Sequence, residues 1–428
     1  MTPSLGGVRA VVIVVGDLGR SPRTLYHALA LAENGATVDL IGCLESPLHP
    51  AAQQADRLTV RPLPSLGSGR GRWPALRSAR ALVRLLILSI SLSWKLLFVV
   101  KRPHLILVQN PPGIPTLPVA WLAARLRAAT LVVDWHNLGW TILALKLGPR
   151  HPLVSVLRAV EVGFGRRADR HFCVSKAMRR ELEECWEIAD VRVFYDRPAR
   201  FFSPAHRKER PPERLVACMS VPAEVRGTVA DAFGDRAEAL VVSSTSWGVD
   251  EDFGLLLDAA ERYDEIFEHH PPRDLPRLRV LVSGKGPRKQ HYEERIGKLD
   301  LRRVEIRTVW LPAADYPYLL AHADIGVCVH RSSSGLDLPM KLADMLGSGL
   351  PVCALDYAPC LSEVLAAGEN GFVFRDAEGL ADLLADLLEG FPRPTARLSR
   401  VRRRLLEDEH PNWSDEWKAS CLPWLAPT

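Results

Sequence analysis

Apolar and polar positions form a repeating pattern along this chain, in which a short apolar run is followed by a small-residue loop and then by an amphipathic helix. The most regular example lies at residues 325–355. An apolar run at 325–330 is of strand character, the loop 331–337 is rich in serine and glycine, and 338–346 has helical periodicity. A second apolar run follows at 350–355. Strand, loop, helix and strand in this order are typical of a parallel α/β sheet.

This segment also predicts an anion-binding site. Asp337 is a candidate N-cap for the helix, and Pro339 suits its first turn, where a missing N–H costs nothing. Backbone N–H groups, the positive end of the helix and three hydroxyls would converge there. Those hydroxyls belong to Ser332, Ser333 and Ser334. Asp344, about two turns into the helix, is a candidate acceptor for sugar or ribose hydroxyls. The alternative interpretation is a buried corner without a ligand.

The N-terminal pattern is of the same kind. A buried strand at 8–15 is followed by the loop 16–23, a helix at 24–34 that ends at Gly35, and a strand at 37–42. This is the opening of a doubly wound sheet, in which the loop after the first strand faces the ligand.

The loop 16–23 lacks the G-x-G-x-x-G pattern, so it supports a dinucleotide only weakly. Gly16 and Gly19 would allow a substrate to approach the backbone closely, and Arg20 and Arg23 are candidates for contacts with phosphate. The alternative is that both arginines are ordinary solvated surface residues.

Candidate acid–base chemistry follows the strand at 130–133. The sequence there is D-W-H-N, so Asp134 and His136 lie at the carboxyl end of a parallel strand, where open α/β folds bind ligands. Because they are two residues apart, an extended backbone places both side chains on one face. The alternative is structural: Asp134 could cap the next helix, and His136 could be a satisfied core residue.

The second half of the chain restarts the pattern after a proline- and charge-rich stretch at 195–214, and we predict no clear element before about residue 238. The acidic triplet 250–252 precedes an apolar helix, so dipole complementation is favoured over a metal site. Lys285, between Gly284 and Gly286 in a turn after a strand, is the main candidate cation for a diphosphate. A solvent-facing turn lysine is the alternative.

Length and composition limit the number of domains and the class of protein. A chain of 428 residues suits two domains, and 47% hydrophobic with 25% charged residues is typical of a soluble protein with large cores. The eight cysteines contain no C-x-x-C pair, which indicates reduced thiols in a cytosolic environment. The apolar run at the N-terminus, 10–15, is too short for a signal peptide or a membrane span.

Charge is distributed unevenly. Residues 57–133 contain no acid and twelve basic residues, around the apolar segment 82–100, whose longest uncharged run is ten residues. That run is about half of what a span requires, so we predict a monotopic helix on an anionic membrane surface. The lipid-facing candidates are Leu86, Ile90, Trp94 and Leu97. A core helix with basic ends is the alternative, and nucleic acid is not supported, because no motif for it is present.

One family resemblance is specific. The string S-S-S-G-L-D-L-P-M-K-L-A-D-M-L-G-S-G-L-P-V-C-A resembles the signature of the chitobiosyldiphosphodolichol beta-mannosyltransferases, and the 16–23 loop, Q-N-P-P at 109–112 and D-W-H-N resemble that family as well. The resemblance covers residues 11 to about 374. It implies the GT-B glycosyltransferase fold, with two doubly wound Rossmann-like α/β domains facing across a cleft.

We therefore expect an N-terminal acceptor- and membrane-facing domain at 1–196, a linker at 197–238 and a nucleotide-sugar domain at 239–392. A C-terminal helical segment at 393–428 is expected to return to the N-terminal domain.

The resemblance implies transfer of mannose from GDP-mannose to chitobiosyl-diphospho-dolichol on the cytosolic face of the endoplasmic reticulum membrane, with inversion. Inversion requires one direct displacement, a general base and stabilisation of the leaving GDP. Asp134, His136 and Asp17 compete for the role of base. The leaving diphosphate is assigned to Lys285, Ser333, Ser334, the Gly335 and Leu336 amides and the following helix, and Asp344 is assigned to ribose. No metal or other cofactor is expected.

The chain also departs from related patterns. Many retaining relatives carry two glutamates eight residues apart, where this chain has a serine run and Asp344. The N-terminal transmembrane helix usual in the family is not recognised. Other mannosyltransferases of lipid-linked oligosaccharide synthesis are candidate partners. Two alternatives stay open: a GT-B enzyme with a different donor, and a catalytically silent GT-B scaffold.

Overall fold

The computed structural model of the chain describes residues 4–65, 74–209, 222–234, 238–269, 273–407 and 411–426. The chain divides into two compact units. The first comprises Met1–Tyr195 and Ser414–Thr428, and the second comprises Asp196–Trp413.

The first unit is built on a seven-stranded parallel sheet with the order β3-β2-β1-β4-β5-β6-β7. The order reverses between β1 and β4, which is where doubly wound sheets bind ligands. The strands are β1 (Arg9–Asp17), β2 (Thr37–Cys43), β3 (Leu58–Leu63), β4 (Leu105–Asn110), β5 (Thr130–Trp135), β6 (Arg170–Cys173) and β7 (Val191–Val193). Strand β4 is almost entirely buried and β1 is buried over residues 10–14, as near-continuous apolar runs predict.

Helices connect these strands in the right order for parallel pairing. They are α1 (Pro22–Glu33), α2 (Pro50–Gln54), α3 (Pro74–Trp94), α4 (Thr116–Arg127), α5 (Gly139–Leu147), α6 (Pro152–Gly165) and α7 (Lys176–Arg180). A π-helical turn, Lys95–Val99, continues α3, and another, Glu181–Cys185, continues α7. Gly35 follows α1 with a φ of +100°, the left-handed conformation for which glycine was expected there.

The second unit has a six-stranded parallel sheet with the order β10-β9-β8-β11-β12-β13. Its strands are β8 (Glu238–Ser244), β9 (Arg277–Ser283), β10 (Val304–Val309), β11 (Ile325–Cys328), β12 (Val352–Leu355) and β13 (Phe372–Phe374). Its helices are α8 (His206–Glu209), α9 (Ala223–Gly234), α10 (Phe253–His269), α11 (Lys289–Ile296), α12 (Tyr316–His322), α13 (Met340–Gly347), α14 (Ala377–Leu388) and α15 (Ala396–Glu407). The prediction of two doubly wound sheets is thus confirmed.

Two parts of the predicted layout differ from the structure. The stretch before residue 238 contains α9, which buries only Val229 and Ala232 and so has too weak an apolar stripe to be recognised. The segment 393–428 is divided, because α15 belongs to the second unit and contributes Leu398, Val401 and Leu405 to its core. Only the chain from Ser414 onward, which contains most of α16 (Trp413–Ser420) and all of α17 (Leu422–Leu425), belongs to the first unit.

Helix α3 carries apolar residues on two faces. An inner stripe, Leu88, Leu92 and Leu96, is buried against the first unit. An outer stripe is 53–68% exposed and consists of Leu82, Leu86, Ile90, Trp94 and Phe98. Leu97, which was predicted to face lipid, is half-buried on the flank of the helix. Phe98 lies on the exposed stripe in its place, as the spacing of four residues requires.

Residues 80–99 are long and apolar enough to cross a membrane, and they are the only such helix in the described ranges. In this structure the segment packs along α4. The Arg127 guanidinium on α4 donates to the carbonyls of Leu96, Leu97 and Val100, which satisfies acceptors at the end of the π-helical turn.

Candidate functional site

A buried ion pair lies at the carboxyl edge of the first sheet. Arg23 on α1 and Asp134 at the end of β5 are 1% and 0% exposed. The guanidinium donates two hydrogen bonds of 2.7 Å to the carboxylate and a third, of 3.1 Å, to the carbonyl of Phe194. Burial acts to raise the pKa of Asp134, but Arg23 and His27 outweigh it and hold that pKa well below its usual range.

His27 joins the C-terminal segment to this pair. The Trp417 indole N–H donates to His27 Nδ1 at 3.1 Å, and His27 Nε2 lies 3.3 Å from Asp134 Oδ2. His27 thus lies between the Trp417 indole and the Asp134 carboxylate. These contacts, from Trp417 through His27 to Asp134 and Arg23, thus attach α16 to the edge of the first sheet.

This geometry corrects two sequence-based assignments. Asp134 is a poor general base, because it is fully buried, strongly held in the ionised form and already bonded on both oxygens. Arg23 is not accessible to an acceptor phosphate, because its guanidinium is buried and committed to Asp134. Both residues instead position the strand ends. Arg20 is exposed in the short 3₁₀ turn Leu18–Arg20 and stays a candidate for a phosphate contact.

Asp17 has a structural task in the same region. Its Oδ1 accepts from the backbone N–H groups of Gly19, Glu45 and Ser46, at 3.3, 3.1 and 3.0 Å. It therefore ties the loop after β1 to the loop after β2, and its role as a base is not supported by this arrangement. Gly19 is required here, since a Cβ would lie 2.6 Å from the Pro47 carbonyl oxygen.

His136 is the half-exposed member of the predicted acid–base group. Its backbone N–H donates to the Asn110 carbonyl at 2.9 Å, which joins the ends of β4 and β5. The amide of Asn110 in turn donates to the Asn137 carbonyl at 3.2 Å and to Glu161 at 3.0 Å. The Q-N-P-P loop and the D-W-H-N segment, which were predicted from separate motifs, are therefore one unit in space.

Glu161 on α6 is a residue that sequence reasoning missed. It is fully buried and accepts from the N–H groups of Gly139 and Trp140, the first two residues of α5, at 2.9 and 3.3 Å. Burial raises the pKa of Glu161 to about 7, although these N–H groups and Asn110 oppose the rise. A lone acid inside the apolar sequence A-V-E-V was the one available signal.

The serine loop (residues 331–337) follows β11 in the second unit, next to the end of β8. Ser332 Oγ accepts from the backbone N–H groups of Ser334 and Gly335, at 3.2 and 2.7 Å, and Ser334 Oγ accepts from that of Leu336 at 3.2 Å. The Gly335 and Leu336 amides, expected to face a diphosphate, are therefore already bonded within the loop. An anion would displace or share these bonds.

Asp337 organises the loop instead of capping the helix. Its carboxylate accepts from Ser332 and Ser334 and lies 3.0 Å from His330 Nε2. Helix α13 begins only at Met340, with Pro339 at the N-cap position and no side-chain cap. The predicted N-cap is thus wrong, because Asp337 lies too far before the first helical turn.

The acidic triplet 250–252 was predicted to complement the dipole of the following helix, but its middle residue has a different role. Glu251 is buried, accepts from the Ser246 N–H at 2.6 Å and forms an ion pair with Lys341 on α13. An isolated bridge pairs Glu251 with His330. The loops after β8 and β11 are therefore held together, as expected where the strand order reverses.

Lys285 is exposed in the turn after β9, and its ammonium lies 4.5 Å from the centre of the Trp310 ring. The flanking glycines are required by close packing. A Cβ on Gly284 would lie 1.8 Å from the Thr245 carbonyl oxygen, and a Cβ on Gly286 would lie 1.7 Å from that of Ser246. The Lys285 turn thus lies directly against the loop after β8.

Asp344, the predicted ribose acceptor, is in the second turn of α13. Burial raises its pKa well above the usual range, the negative charge of Asp196 adds to this, and Lys341 opposes it. Its Oδ1 is buried without a hydrogen-bond partner among the described residues. The assignment to ribose stays a prediction.

The described residues contain no group of three or more His, Cys, Asp or Glu side chains that could hold a metal ion. The expectation of metal-free transfer stays a prediction.

Comparison with known proteins identifies the class. A family described as "Glycosyl transferase 4-like domain" matches residues 19–199, and one described as "Glycosyl transferase-like" matches residues 262–414. Among solved structures, sucrose-phosphate synthase from Thermosynechococcus elongatus aligns with a TM-score of 0.62 at 15% identity, over 97% of this chain and 96% of that one. The chain is a glycosyltransferase of the GT-B fold.

Proteins with higher sequence identity identify the family within this class. Proteins named chitobiosyldiphosphodolichol beta-mannosyltransferase are 40% identical in Mus musculus, over 97% of this chain and 89% of the relative, and 39% identical in Homo sapiens, over 98% and 92%. An Arabidopsis thaliana protein named UDP-glycosyltransferase TURAN is 40% identical over 97% of both chains. The chain belongs to the chitobiosyldiphosphodolichol beta-mannosyltransferase family.

Proposed function

We propose that this protein transfers mannose from GDP-mannose to chitobiosyl-diphospho-dolichol, with inversion, at the cytosolic face of the endoplasmic reticulum membrane. The observation that carries the proposal is the identity of about 40% with relatives of that name over nearly the whole chain. The acceptor hydroxyl attacks the anomeric carbon of mannose, the bond from that carbon to the diphosphate breaks, GDP leaves, and a base takes the hydroxyl proton.

At the acceptor end, His136 is the base that the geometry favours. Asp134 is held in an ion pair and Asp17 binds three backbone amides, whereas His136 is partly exposed at the end of a parallel strand, although its Nε2 is buried. The imidazole of a histidine has a ring nitrogen that can accept the proton of an acceptor hydroxyl. Loss of the chemical step in His136→Ala, with donor binding kept, is the expected result in single-turnover kinetics.

At the donor end, we assign the contacts with the leaving diphosphate to Lys285 and the serine loop. Lys285 supplies an exposed positive charge, and the hydroxyls of Ser332, Ser333 and Ser334 supply polar contacts. Gly284 and Gly286 allow the turn to lie against the neighbouring loop without a side chain between them.

The test is incubation of the purified protein with GDP-mannose and a chitobiosyl-diphospho-phytanyl acceptor, followed by mass analysis. We expect a product that has gained one hexose, released by a β-mannosidase and not by an α-mannosidase. No gain of hexose from any nucleotide sugar would contradict the proposal and favour a catalytically silent scaffold.

A second candidate differs only in the donor. The Arabidopsis relative is named a UDP-glycosyltransferase and is as similar to this chain as the relatives named mannosyltransferases. Donor competition separates the two. If UDP-glucose or UDP-N-acetylglucosamine supports faster transfer than GDP-mannose, the donor in the proposal is wrong.

Membrane attachment is the last part of this proposal. The outer stripe of α3 exposes five large apolar side chains, while its inner stripe packs on the first unit, so α3 is suited to lie in the membrane surface and not across it. Nearby basic residues add about 1 kcal/mol each on an anionic leaflet. We expect Leu86→Asp, Ile90→Asp and Phe98→Asp together to abolish flotation with phosphatidylserine vesicles. Retention in carbonate-resistant form would instead show an integral attachment.

A further inference from the structure

An apolar groove opens on the first unit beside the predicted acceptor site. It encloses about 410 Å³ and lies between α3, the loop after β4, α5 and α6. Its lining residues are Ala81, Leu85, Pro111, Pro112, Gly113, Ile114, Gly139, Ile142, Leu143, Lys146, Leu153, Val156 and Leu157. Lys146 is the one charged residue among them, and its side chain is exposed. The volume is within the range of about 300–1,000 Å³ typical of small-molecule sites.

Two glycines line the inner end of the groove. Gly113 and Gly139 pack directly on Glu161, so a Cβ on Gly139 would lie 2.6 Å from Glu161 Oε1, and one on Gly113 would lie 2.8 Å from Glu161 Cγ. Gly139 is three residues after His136, and the Asn110 carbonyl fixes the His136 backbone. The inner end therefore lies at the sheet edge where the acceptor sugar is expected.

The outer end of the groove continues into exposed apolar surface. Leu153 and Val156, on the α6 side, are 55% and 52% exposed although they are large and apolar. On α3, Ala81 and Leu85 directly precede Leu82 and Leu86 of the outer stripe. Apolar surface of this extent is typical of an interaction site, and here it leads from the membrane-facing stripe toward His136.

We propose that this groove binds the isoprenoid segment next to the diphosphate of the lipid-linked acceptor. The inference rests on the proposed function. A chain that is joined through a diphosphate to the acceptor sugar must run from the sugar site to the bilayer, and the groove connects those two places. Lys146 is placed to meet the diphosphate as a point charge. A bilayer phospholipid also carries a phosphate, but it has no acceptor sugar to occupy the sheet edge beside His136.

The first experiment uses a photoreactive geranylgeranyl diphosphate, which carries no sugar, with the full chain in detergent micelles. We expect crosslinks on α5 and α6, reduced about tenfold in Ile142→Trp/Val156→Trp, which corresponds to about 1.4 kcal/mol of binding. Leu126→Trp is the matched control, because Leu126 is 64% exposed on α4 but does not line the groove. Equal labelling of the groove variant and the control would overturn the proposal.

The second experiment compares chitobiosyl diphosphates that carry a long isoprenoid or an ethyl group. In the native protein we expect a lower KM for the isoprenoid acceptor, and this advantage should be lost in the groove variant and kept in Leu126→Trp. Leu153→Asp, at a half-exposed rim position, repeats the test without filling the groove. If the advantage persists in both groove variants while vesicle flotation falls, the groove holds bilayer acyl chains and the proposal is wrong.

These two experiments test the isoprenoid groove and the mannosyl transfer separately. Crosslinking that is lost in the groove variant supports the isoprenoid groove even if no mannose transfer is detected, in which case only the proposed reaction fails. Mannose transfer that shows no preference for the isoprenoid acceptor supports the proposed reaction and contradicts the proposal that the groove binds the isoprenoid.

Discussion

The carboxyl edges of the two sheets have the same arrangement of strands but hold their charges in opposite ways. In the first unit the edge residues Arg23 and Asp134 neutralise each other in the interior. In the second unit the corresponding edge leaves Lys285 exposed in the turn after β9 and carries the hydroxyl-rich serine loop after β11. A buried pair is costly to break and is shielded from a ligand, whereas a ligand can reach the charge of an exposed lysine.

This contrast is consistent with different functions for the two sheet edges, one at the donor and one at the acceptor. A diphosphate leaving group requires positive charge and hydrogen-bond donors, which the second edge supplies. A sugar hydroxyl on an isoprenoid requires one base and an apolar path, and the first edge offers His136 and the apolar groove. Substitutions in the buried pair of the first edge should therefore lower stability most, whereas substitutions of His136 and of the second-edge residues should lower activity.

The largest expected effect is on the buried pair. Asp134→Asn removes the charge that compensates Arg23 in a fully buried site, so we expect a loss of about 3–5 kcal/mol in unfolding free energy. Urea denaturation gives the loss, and hydrogen exchange localises it to the first unit. Asp39→Asn is the matched control: its 2.8 Å pair with Arg61 is partly exposed and should cost less than about 1 kcal/mol. Normal stability with lost turnover would restore Asp134 as a catalytic residue.

The next effect concerns Glu161, whose pKa is raised from an ordinary 4.5 to about 7 in the folded chain. Below about pH 4.5 the carboxyl is protonated in both states. Between about pH 4.5 and 7 only the unfolded state releases the proton, so stability falls with rising pH, by roughly 3 kcal/mol in total. Above pH 7 the contribution is constant.

Glu161→Gln should therefore flatten the decrease in unfolding free energy between pH 5 and pH 8, measured by urea denaturation. Glu183→Gln is the control, because Glu183 on the first unit pairs with Arg179 on the protein surface and should leave the pH profile as it is. An identical profile for the native chain and Glu161→Gln would show that Glu161 keeps an ordinary pKa.

The fold and most of the site elements could be predicted from sequence because apolar runs and glycine-containing loops are local signals. The doubly wound sheets and the Q-N-P-P and D-W-H-N segments are examples. The pairing of Arg23 with Asp134 could not be predicted, since it joins residues 111 positions apart on elements whose packing no local pattern encodes. Glu161 and the division of the C-terminal segment were missed for the same reason.

The serine loop shows a second limit of sequence reasoning. Its residues were identified as polar groups available to a ligand, but in the structure Ser332 and Ser334 bind amides of their own loop. Short side chains with hydroxyls bond readily to nearby backbone, and the sequence does not reveal whether they do so in the absence of a ligand.

The activity of the second edge is tested by Lys285→Ala. Losing one charge-assisted contact to the leaving diphosphate should raise the barrier by about 2–3 kcal/mol and lower turnover at least about tenfold, with stability unchanged. Lys289→Ala, four residues later, removes a lysine that pairs with Glu293 at 3.3 Å and should change turnover little. Unchanged GDP affinity and turnover in Lys285→Ala would remove Lys285 from the donor site.

The smallest effect is expected for Ser332→Ala. Ser332 Oγ accepts two backbone N–H groups and donates to Asp337, so its loss leaves the loop less ordered before GDP binds. We expect about 1 kcal/mol, or roughly fivefold weaker GDP binding by calorimetry. Ser399→Ala on α15, where the exposed hydroxyl donates to the Pro394 carbonyl at 3.3 Å, is the control. If the second unit loses stability while GDP affinity stays the same, the serine loop is only a structural turn. The donor side of the contrast between the two edges would then depend on Lys285 alone.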